Sequence, residues 1–517
     1  MAPRSCRPSP TSCPRPFDSC VGRTATARLP PVAVALLALL LGCGGDASGP
    51  VFATARLDYV DGAIEPILTR GQTIVLEGFG FGAARGSGAV RFARVGGGEF
   101  AAGVPDSAWT ALTITTTVPD SAASGTLVVI TAAGKRLTAT VHVLPAPAFD
   151  PVALTWLARA SFPRAPVGVA LAAAEFPAGT AVNATLYAAG GAEPFDTVMV
   201  PDSGVYVARA DAGGGGAITA WVRQRDTTDA TRSRVLPVPR AFAAAAVATR
   251  HNSRLPGSAL YVIGGIDTAG HAQATVLGAD VTADSVSRHF IFLEPLPAPV
   301  AGAIAVVRRG RIYVIGGTDD HGQPQQTVYV GRIGVDGHID GWYAQPPLPG
   351  PRAYGGGLVR DGRVVAIGGV ADVVPPGGGL GVTPQRLVTS DTAPLSLVSG
   401  FFTGPWGTGP TLLPEGRSQF ALLDVGNAVL AVGGMYGGAA TNAAETMAAS
   451  VSGDSVGTFA GPVGTQIWQQ PCDGAGAGTL VGPAGVTWRE ANGTPHGLVL
   501  GGIDLATQVR RACTWGF

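Results

Sequence analysis

Arginine and aspartate recur at matching places in a repeated pattern. The arginines follow proline-rich segments such as FPRA, LPVPRAF, LPGPRAY and LLPEGRSQF, and they are Arg164, Arg240, Arg352 and Arg417. The aspartates come soon after Gly-Gly pairs, at Asp267, Asp319 and Asp504. A planar guanidinium forms two parallel hydrogen bonds to a carboxylate, so these arginines could bind an anionic ligand. They could equally pair with aspartates and carbonyl groups of the protein itself.

Other site chemistry is missing from the sequence. The seven histidines are scattered, and the chain has neither HExxH nor cysteine pairs at zinc spacing. The segment GVDGHIDGW (334–342) lacks the carboxylate spacing of an EF-hand and predicts a turn. No GxSxG motif is present, and no Ser, His and acid can be grouped. We therefore predict no metal, no cofactor and no catalytic residues.

Strands that end in a Gly-Gly pair would position these residues. Runs such as LYVIGG and IYVIGG are rich in Val, Ile and Tyr, and their glycine pairs end at Gly191, Gly265, Gly317, Gly369, Gly434 and Gly502. Such glycine-bounded repeats predict an array of β units. With 76 Gly and 41 Pro in 517 residues, the chain predicts a turn-rich, all-β protein of more than one domain. Zero formal charge and a single lysine, Lys135, argue against nucleic-acid binding.

Three marks accompany each Gly-Gly strand. A later strand carries an aromatic residue near its end, as at Trp221 and Trp342, and a proline-rich crossing follows. A run of small and apolar residues comes next, for example Ala241–Ala248 and Tyr354–Val359. Together these marks resemble the kelch repeat family, whose repeats form four-stranded propeller blades. The resemblance implies six blades over residues 152–517, with the clearest insertion at Val373–Pro384.

The two ends of this region complement each other. The last unit has an inner strand at Thr479–Val486, the strand Leu498–Leu500 and the segment Val509–Trp515, and then the sequence reaches Phe517 without an outer strand. Val152–Ala158 has the outer-strand pattern with no blade before it. We expect this N-terminal strand to complete the last blade, because a closed ring has no exposed sheet edge.

In a four-stranded blade, the crossing and the loop after Gly-Gly lie on the same face. The arginines and aspartates above should therefore rim one mouth of the central channel. Arginines at this Pro-Arg position help to form a ligand face in kelch proteins that resemble this chain. Two blades lack the arginine, at Ala298–Ala301 and Asp473–Gly476. Ligand contact and stapling between blades both remain open as roles.

Residues 51–144 predict a separate small β-sandwich. Strands are expected at Thr73–Glu77, Ala89–Ala93, Leu112–Val118, Thr126–Thr131 and Leu137–Val143. The order of GQTIVLEGFGFG (71–82), GSGAVRF (86–92), Trp109 with LTITTTVP, and SGTLVVIT (124–131) resembles the IPT/TIG immunoglobulin-like family. This family implies a spacer or interaction module. The glycines at 78, 80 and 82 predict a turn, since no helix follows to bind a phosphate. Residues 145–151 form a proline-rich linker.

The N-terminal 43 residues predict a targeting segment. Arginines precede the apolar run Val32–Leu41, which is short for a membrane span and suits a signal peptide. Leu40-Leu41-Gly42-Cys43 resembles a bacterial lipobox, which implies lipidation of Cys43, a tether at residues 44–50 and, with Gly44 next, the outer membrane. An ordinary signal peptide or a short membrane anchor is the alternative. The long arginine-bearing start also suggests translation from near Val21.

Cysteine usage agrees with export. Without Cys43 and the three cysteines that precede it, Cys472 and Cys513 remain. They could form a disulfide or stay as two buried thiols, because sequence spacing does not show whether their Cα atoms come within reach.

These observations favour a non-catalytic, membrane-anchored binding or scaffolding protein of the bacterial cell envelope. We expect a monomer with an anionic protein or glycan ligand and no nucleic acid. A sugar-modifying kelch enzyme similar to the sialic acid mutarotases is one alternative. A structural adhesin is another, and it would present a broad apolar or aromatic patch.

Overall fold

The chain folds almost entirely into β-sheets, and the all-β prediction is confirmed. The computed structural model describes residues 54–178, 181–195, 198–210, 214–225, 234–249, 258–287, 289–334, 336–372, 387, 389–436, 446–467, 480–490, 492–504 and 509–517. Cys43, Cys472, the crossing at 473–476 and the insertion at 373–384 lie outside these ranges. None of the helices within them is long and apolar enough to cross a membrane.

Two sheets enclose one core in the first part of the chain. Their strands are β1 Arg56–Val60, β2 Ile67–Thr69, β3 Thr73–Phe79, β4 Ala89–Ala93, β5 Glu99–Ala101, β6 Thr113–Thr117, β7 Gly125–Ile130 and β8 Arg136–Leu144. The sheet orders are β1-β3-β6 and β2-β8-β7-β4-β5. Alternation on β4 turns Val90 and Phe92 into the core, where they meet Ile114 and Trp109. We refer to this two-sheet body as the sandwich; one 3₁₀ turn, Asp106–Ala108, lies within it.

The rest of the chain forms short antiparallel strands. After a 3₁₀ turn at Pro151–Ala153 they are β9 Leu157–Ala158, β10 Ala170–Ala178, β11 Ala181–Ala189, β12 Ala192–Phe195, β13 Val198–Pro201, β14 Val205–Arg209, β15 Val222–Arg223, β16 Ala244–Thr249, β17 Ser258–Ile263, β18 Val276–Val281, β19 Ile291–Phe292, β20 Ile304–Arg308, β21 Arg311–Ile315, β22 Val328–Ile333 and β23 Ile339–Ala344. They continue with β24 Gly356–Arg360, β25 Arg363–Ile367, β26 Thr389–Pro394, β27 Gly407–Thr411, β28 Arg417–Ser418, β29 Ala421–Asp424, β30 Ala428–Val432, β31 Met435–Tyr436, β32 Thr446–Ser452, β33 Ser455–Val456, β34 Leu480–Val481, β35 Ala484–Arg489, β36 Pro495–Leu500, β37 Ile503–Asp504, β38 Val509–Arg510 and β39 Thr514–Gly516.

Six four-stranded sheets are built from these strands. In chain order they are sheet I (β10-β11-β14-β15), sheet II (β16-β17-β18-β19), sheet III (β20-β21-β22-β23), sheet IV (β24-β25-β26-β27), sheet V (β29-β30-β32-β33) and sheet VI (β35-β36-β39-β9). Smaller sheets pair β12 with β13, β28 with β31, and β34 with β37 and β38. The Gly-Gly runs end the second strand of each four-stranded sheet.

The first strands of sheets I–VI lie side by side in a closed series, because β35 of sheet VI contacts β10 of sheet I. Each neighbouring pair of sheets has its own apolar cluster. Between sheets VI and I, for example, Leu186 packs near Leu498 and Trp488, and all three are buried. Small residues on the first strands permit this close approach, as the alanine-rich sequence of β16 illustrates.

Strand β9 completes sheet VI, where Leu157 pairs with Gly516 and Ala158 with Trp515. The inner strand of this sheet differs from the sequence expectation. It spans Ala484–Arg489, not Thr479–Val486, because the chain turns at Gly482 with a positive φ of 68°. Leu480–Val481 instead pairs with Ile503–Asp504 in a separate small sheet.

Tyrosines of the Gly-Gly strands link neighbouring sheets. Tyr187, Tyr261 and Tyr313 are fully buried, and each donates its hydroxyl to a main-chain carbonyl of the next sheet. The hydroxyl of Tyr261 lies 2.8 Å from the oxygen of Gly337, for example. Burial raises the pKa of Tyr313 to about 12. These residues are structural, because their polar atoms are used inside the protein.

Candidate functional site

Three of the four predicted arginines are buried between sheets. Arg240, Arg352 and Arg417 are only 1–2% exposed. The main-chain oxygen of each accepts a hydrogen bond from a Gly-Gly amide of the preceding sheet, at Gly191, Gly317 and Gly369 respectively. The guanidinium then donates to a Gly-Gly carbonyl of the following sheet, at Gly264, Gly368 and Gly433 respectively. Each arginine therefore staples two sheets together, which is the second of the two roles that the sequence left open.

A second guanidinium contact completes each staple. Arg240 donates to Thr275, and Arg352 donates to the carboxylate of Asp391, with Nη2 2.8 Å from Oδ2. Arg417 also donates to the sulfur of Met447 at 3.9 Å. Burial lowers the pKa of Arg352, and the ion pair with Asp391 opposes that shift. Arg352 and Asp391 therefore form a fully desolvated ion pair inside the protein.

Arg164, the fourth predicted arginine, lies closer to solvent. Its side chain is 25% exposed and contacts Glu193 of β12 and Asp202, which directly follows β13. The hydrogen bond to Glu193 is the main reason that the pKa of Arg164 is raised. The same bond lowers the pKa of the Glu193 carboxyl group. This arginine is thus accessible but already neutralised by two carboxylates.

The predicted aspartates organise loops. Asp267 accepts hydrogen bonds from the amides of Ala269 and His271 and from the side chain of Gln273. Asp319 repeats this arrangement with His321, Gln323 and Gln325. Asp504 is 1% exposed and pairs with Arg511, with 2.8 Å between the charged atoms. Asp267 and Asp319 therefore order the loops that follow their Gly-Gly pairs, and Asp504 forms a buried ion pair.

A ring of unusual backbone conformations lies where the chain crosses between sheets. Its members share a positive φ between 53° and 68°, and they are Gly168, Phe242, Gly302, Tyr354, Gln419 and Gly482. Each amide after Gly168 donates to the carbonyl of the preceding member, with distances of 2.8–2.9 Å. We call this set the crossing ring. Each member lies two residues before the first strand of its sheet, at the predicted arginine-bearing mouth.

Three of the six residues in the crossing ring are not glycine. Left-handed backbone is unfavourable for bulky side chains and persists at sites where surrounding structure compensates it. Phe242 lies over Gly168, and Tyr354 lies over Gly302, where an added Cβ would come within 2.4 Å of the tyrosine ring. The two aromatic rings meet edge to face, 5.8 Å apart. Burial raises the pKa of Tyr354 to about 12, although its bond to Thr318 opposes the shift.

Sequence analysis missed the crossing ring as a site. Its signal is the residue two positions after Arg240, Arg352 and Arg417, as in Arg240-Ala-Phe242 and Arg352-Ala-Tyr354. Nothing in one sequence marks an aromatic residue for positive φ, because this conformation depends on the neighbouring sheet.

The opposite ends of the first strands face the sandwich. Two tight turns meet there, and each has two residues at positive φ: Asp61-Gly62 of the sandwich and Arg309-Gly310 of sheet III. The side chains of Asp61 and Arg309 form an ion pair, and both are nearly buried, at 6% and 7% exposed. Arg309 also donates to the oxygens of Thr73 and Leu397, at 2.7 and 3.1 Å. We call this contact the turn lock.

Further bonds fix the sandwich beside the turn lock. The amide of Thr73 donates to Asp361 of sheet IV at 3.1 Å, and Arg489 of sheet VI donates to Thr69 at 2.5 Å. Asn427 of sheet V bonds both the amide and the carbonyl of Phe149 in the segment that follows the sandwich. The sandwich is therefore attached to sheets III, IV and VI, in addition to the covalent linker.

A cavity of about 1170 Å³ remains between the sandwich and the six sheets. Ion pairs cross the boundaries between sheets on its wall, including Arg308–Asp361, Arg360–Asp424 and Arg489–Glu175, with 2.6–2.7 Å between charged atoms. We call this cavity the chamber. The sequence did not predict it, because its walls come from parts of the chain that are hundreds of residues apart.

Metal and thiol sites offer little further chemistry. Within the described ranges, no three His, Cys, Asp or Glu side chains are grouped closely enough to hold a metal ion. Cys513 is disulfide-bonded and 1% exposed, while every other cysteine lies outside the described ranges. The pairing of Cys513 with Cys472 therefore stays a prediction.

Comparison with known proteins gives a limited result. No protein-family model matches the chain. A segment of 123 residues is 28% identical to beta-scruin of Limulus polyphemus, and the match spans 23% of this chain but only 13% of beta-scruin. Beta-scruin is a kelch-repeat protein, which agrees with the resemblance of the Gly-Gly repeats. Among solved structures, one described as "Structure of YjhT" is 14% identical, with a TM-score of 0.40, and the match covers 59% of this chain and 99% of that one.

Proposed function

We propose that this chain is an exported binding protein built on a six-bladed, kelch-type propeller. Sheets I–VI are its blades, β9 closes the ring, and the sandwich is an IPT/TIG-like domain. Two observations support this architecture: the closed series of first strands and the separate apolar cluster between each pair of neighbouring sheets. The Gly-Gly repeats and the beta-scruin match favour the kelch type.

We place the ligand at the crossing ring. The observation that carries this proposal is that Phe242, Tyr354 and Gln419 adopt left-handed backbone where equivalent positions hold glycine. Such strain concentrates at functional sites. The sandwich adjoins the other ends of the first strands, so the crossing ring lies at the end of the six sheets away from the sandwich. Phe242 and Gln419 are half-buried there and offer an aromatic face and an amide.

These side chains suit a protein or glycan ligand. An aromatic face packs against apolar ligand surface, and the amide both donates and accepts hydrogen bonds. An anionic ligand, which the arginines suggested, would have to compete with the carbonyl and carboxylate groups that already hold them. We therefore assign contact with the ligand to the crossing ring, and stapling to Arg240, Arg352 and Arg417.

Replacing Phe242 by glycine tests this assignment. Glycine relaxes the positive φ, which offsets the lost apolar contacts, so the stability change should stay within about 1 kcal/mol. Loss of an anchoring aromatic residue should weaken binding by about 30-fold. The measurement is a screen of bacterial surface glycans and peptides, followed by titration of the ligand found. NMR of sialic acid anomers in the same screen tests the mutarotase alternative.

Phe292→Gly is the matched control, because this phenylalanine is 57% exposed on the outer strand β19. It should bind like the unaltered protein. Equal affinity of the Phe242→Gly variant and the unaltered protein would remove the crossing ring as the ligand site. Turnover of a sugar would replace the binding role with an enzymatic one.

We also propose that Cys43 carries a lipid that anchors the protein in the bacterial envelope. The lipobox-like sequence Leu40-Leu41-Gly42-Cys43 supports this location. Replacing Cys43 by alanine should move the protein from the membrane fraction to the soluble fraction and abolish labelling with a fatty acid. Unchanged fractionation and labelling of that variant would disprove the anchor.

A further inference from the structure

The chamber is a second candidate binding site, separate from the crossing ring. It lies at the junction of two folded bodies, where ligand sites often occur, and its volume of about 1170 Å³ is slightly above the usual range of about 300–1,000 Å³. One wall comes from sandwich residues between Asp61 and Thr73. The other comes from the far ends of the first strands, so the two sites occupy opposite ends of the channel.

Charge on the chamber wall disfavours an anionic ligand. Among the residues that the structure describes, four guanidinium groups line it, from Arg308, Arg309, Arg360 and Arg489, and each pairs with a carboxylate. Six carboxylates of the described ranges line the same wall, at Asp61, Glu65, Glu175, Asp361, Asp424 and Asp454. To reach one of these guanidinium groups, a ligand with net negative charge would have to displace a fixed carboxylate from its arginine.

Hydrogen-bonding capacity nevertheless remains on the wall. Asp424 is one-third exposed, and its hydrogen bonds to described residues all use Oδ1, which accepts from Arg360 and from the amide of Gly426. Its Oδ2 is left for a hydroxyl donor. Arg360 donates to Asp424 through Nη2, which leaves Nη1 for an acceptor. Adjacent donor and acceptor atoms of this kind match a hydroxyl group, which both donates and accepts.

Apolar surface lies beside these polar atoms. Val247, Val307 and Val359 line the chamber near the ends of β16, β20 and β24, and all three are partly exposed. Phe176 of β10 adds an aromatic side chain. Alternating apolar and hydroxyl-compatible patches suit a sugar ring, which presents C–H groups on its faces and hydroxyl groups at its rim.

From the volume, the paired charges and these patches, we propose that the chamber binds an uncharged oligosaccharide. The sandwich is then part of the binding site and does more than separate the propeller from the membrane. Binding in the chamber does not depend on the crossing ring, and the Phe242→Gly variant should keep it.

The test uses the full chain and four probes: maltotriose, cellotriose, triacetylchitotriose and the anionic trigalacturonic acid. Calorimetric titration should detect at least one neutral probe and should show weaker or no binding of the acid. Replacing Thr487 by tryptophan should obstruct part of the chamber and weaken that binding at least tenfold, because Thr487 is partly exposed on its wall. Thr408→Trp, on the exposed outer strand β27, is the matched control and should bind normally.

A second variant keeps the proposal testable if the Thr487→Trp variant does not fold. Asp424→Asn keeps the volume but removes the charge that a ligand hydroxyl would contact, so affinity should fall about tenfold. The proposal is overturned if no neutral probe binds, if trigalacturonic acid binds more tightly than the neutral probes, or if folded Thr487→Trp and Asp424→Asn variants both bind normally. A loss confined to the Phe242→Gly variant would place the sugar at the crossing ring instead.

Discussion

Replacing Arg352 by alanine should destabilise the folded protein by about 3–5 kcal/mol, the usual effect of removing one partner from a buried ion pair. The variant leaves the carboxylate of Asp391 buried at 4% exposure without its cation. It also removes the donor to the carbonyl groups of Gly368 and Thr389. Urea unfolding, followed by circular dichroism, measures the loss.

Two further variants interpret that result. Arg223 is exposed on the outer strand β15, and its replacement by alanine should change stability by less than about 0.5 kcal/mol. The double variant Arg352→Met with Asp391→Leu should recover part of the loss, because it leaves no unpaired buried charge. A stable Arg352→Ala variant that no longer binds its ligand would contradict stapling and restore the ligand-face role.

Replacing Gly62 by valine should break the turn lock and weaken the attachment of the sandwich to the other sheets. Gly62 has a φ of 81°, and an added Cβ would lie 2.7 Å from the Cα of Arg309. Both backbones would have to move apart, which would separate Asp61 from Arg309. Limited proteolysis at the linker 145–151 and small-angle X-ray scattering measure the release, and we expect faster cleavage and a larger radius of gyration.

Gly71→Val is a closely matched control for backbone strain. Gly71 also belongs to the sandwich, and its φ is 80°, but an added Cβ there has no atom within 4 Å. In each variant the left-handed backbone costs roughly 1–2 kcal/mol of stability. Only the valine at position 62 would also clash with the turn at Arg309. Equal proteolysis rates for the two variants would show that strain inside the sandwich, and not the turn lock, controls release.

Much of the fold could be predicted because strand patterns are local. Glycine-bounded apolar runs predicted the all-β class, and the strand expected at Ala89–Ala93 has those bounds in the structure. The inner strand of sheet VI was misplaced, because Leu480–Val481 has the composition of a strand yet pairs outside that sheet. Composition indicates that a segment is extended, but the turn at Gly482 decides which sheet receives it.

The candidate sites were harder to predict, because they depend on contacts between distant segments. The recurrence of Pro-Arg indicated a shared role for Arg240 and Arg352. Their stapling role follows from their burial and from their hydrogen bonds to Gly-Gly carbonyl groups, which the sequence does not show. The crossing ring was hidden, since positive φ at Phe242 comes from the neighbouring sheet. To predict the chamber, one would have to know that Asp61 and Arg309, which are 248 positions apart in the chain, are in contact.

Strand β9 closes sheet VI through two residue pairs, and the chain enters it from the linker that follows the sandwich. Such a short strand would be the first to peel if tension acted on the chain from its N-terminal side. The sandwich contacts divert that load. Tension reaches Asp61 and Thr73 before the linker and passes into sheets III and IV, and the clamp of Asn427 on Phe149 holds the linker itself. The closing seam is thereby shielded from mechanical stress.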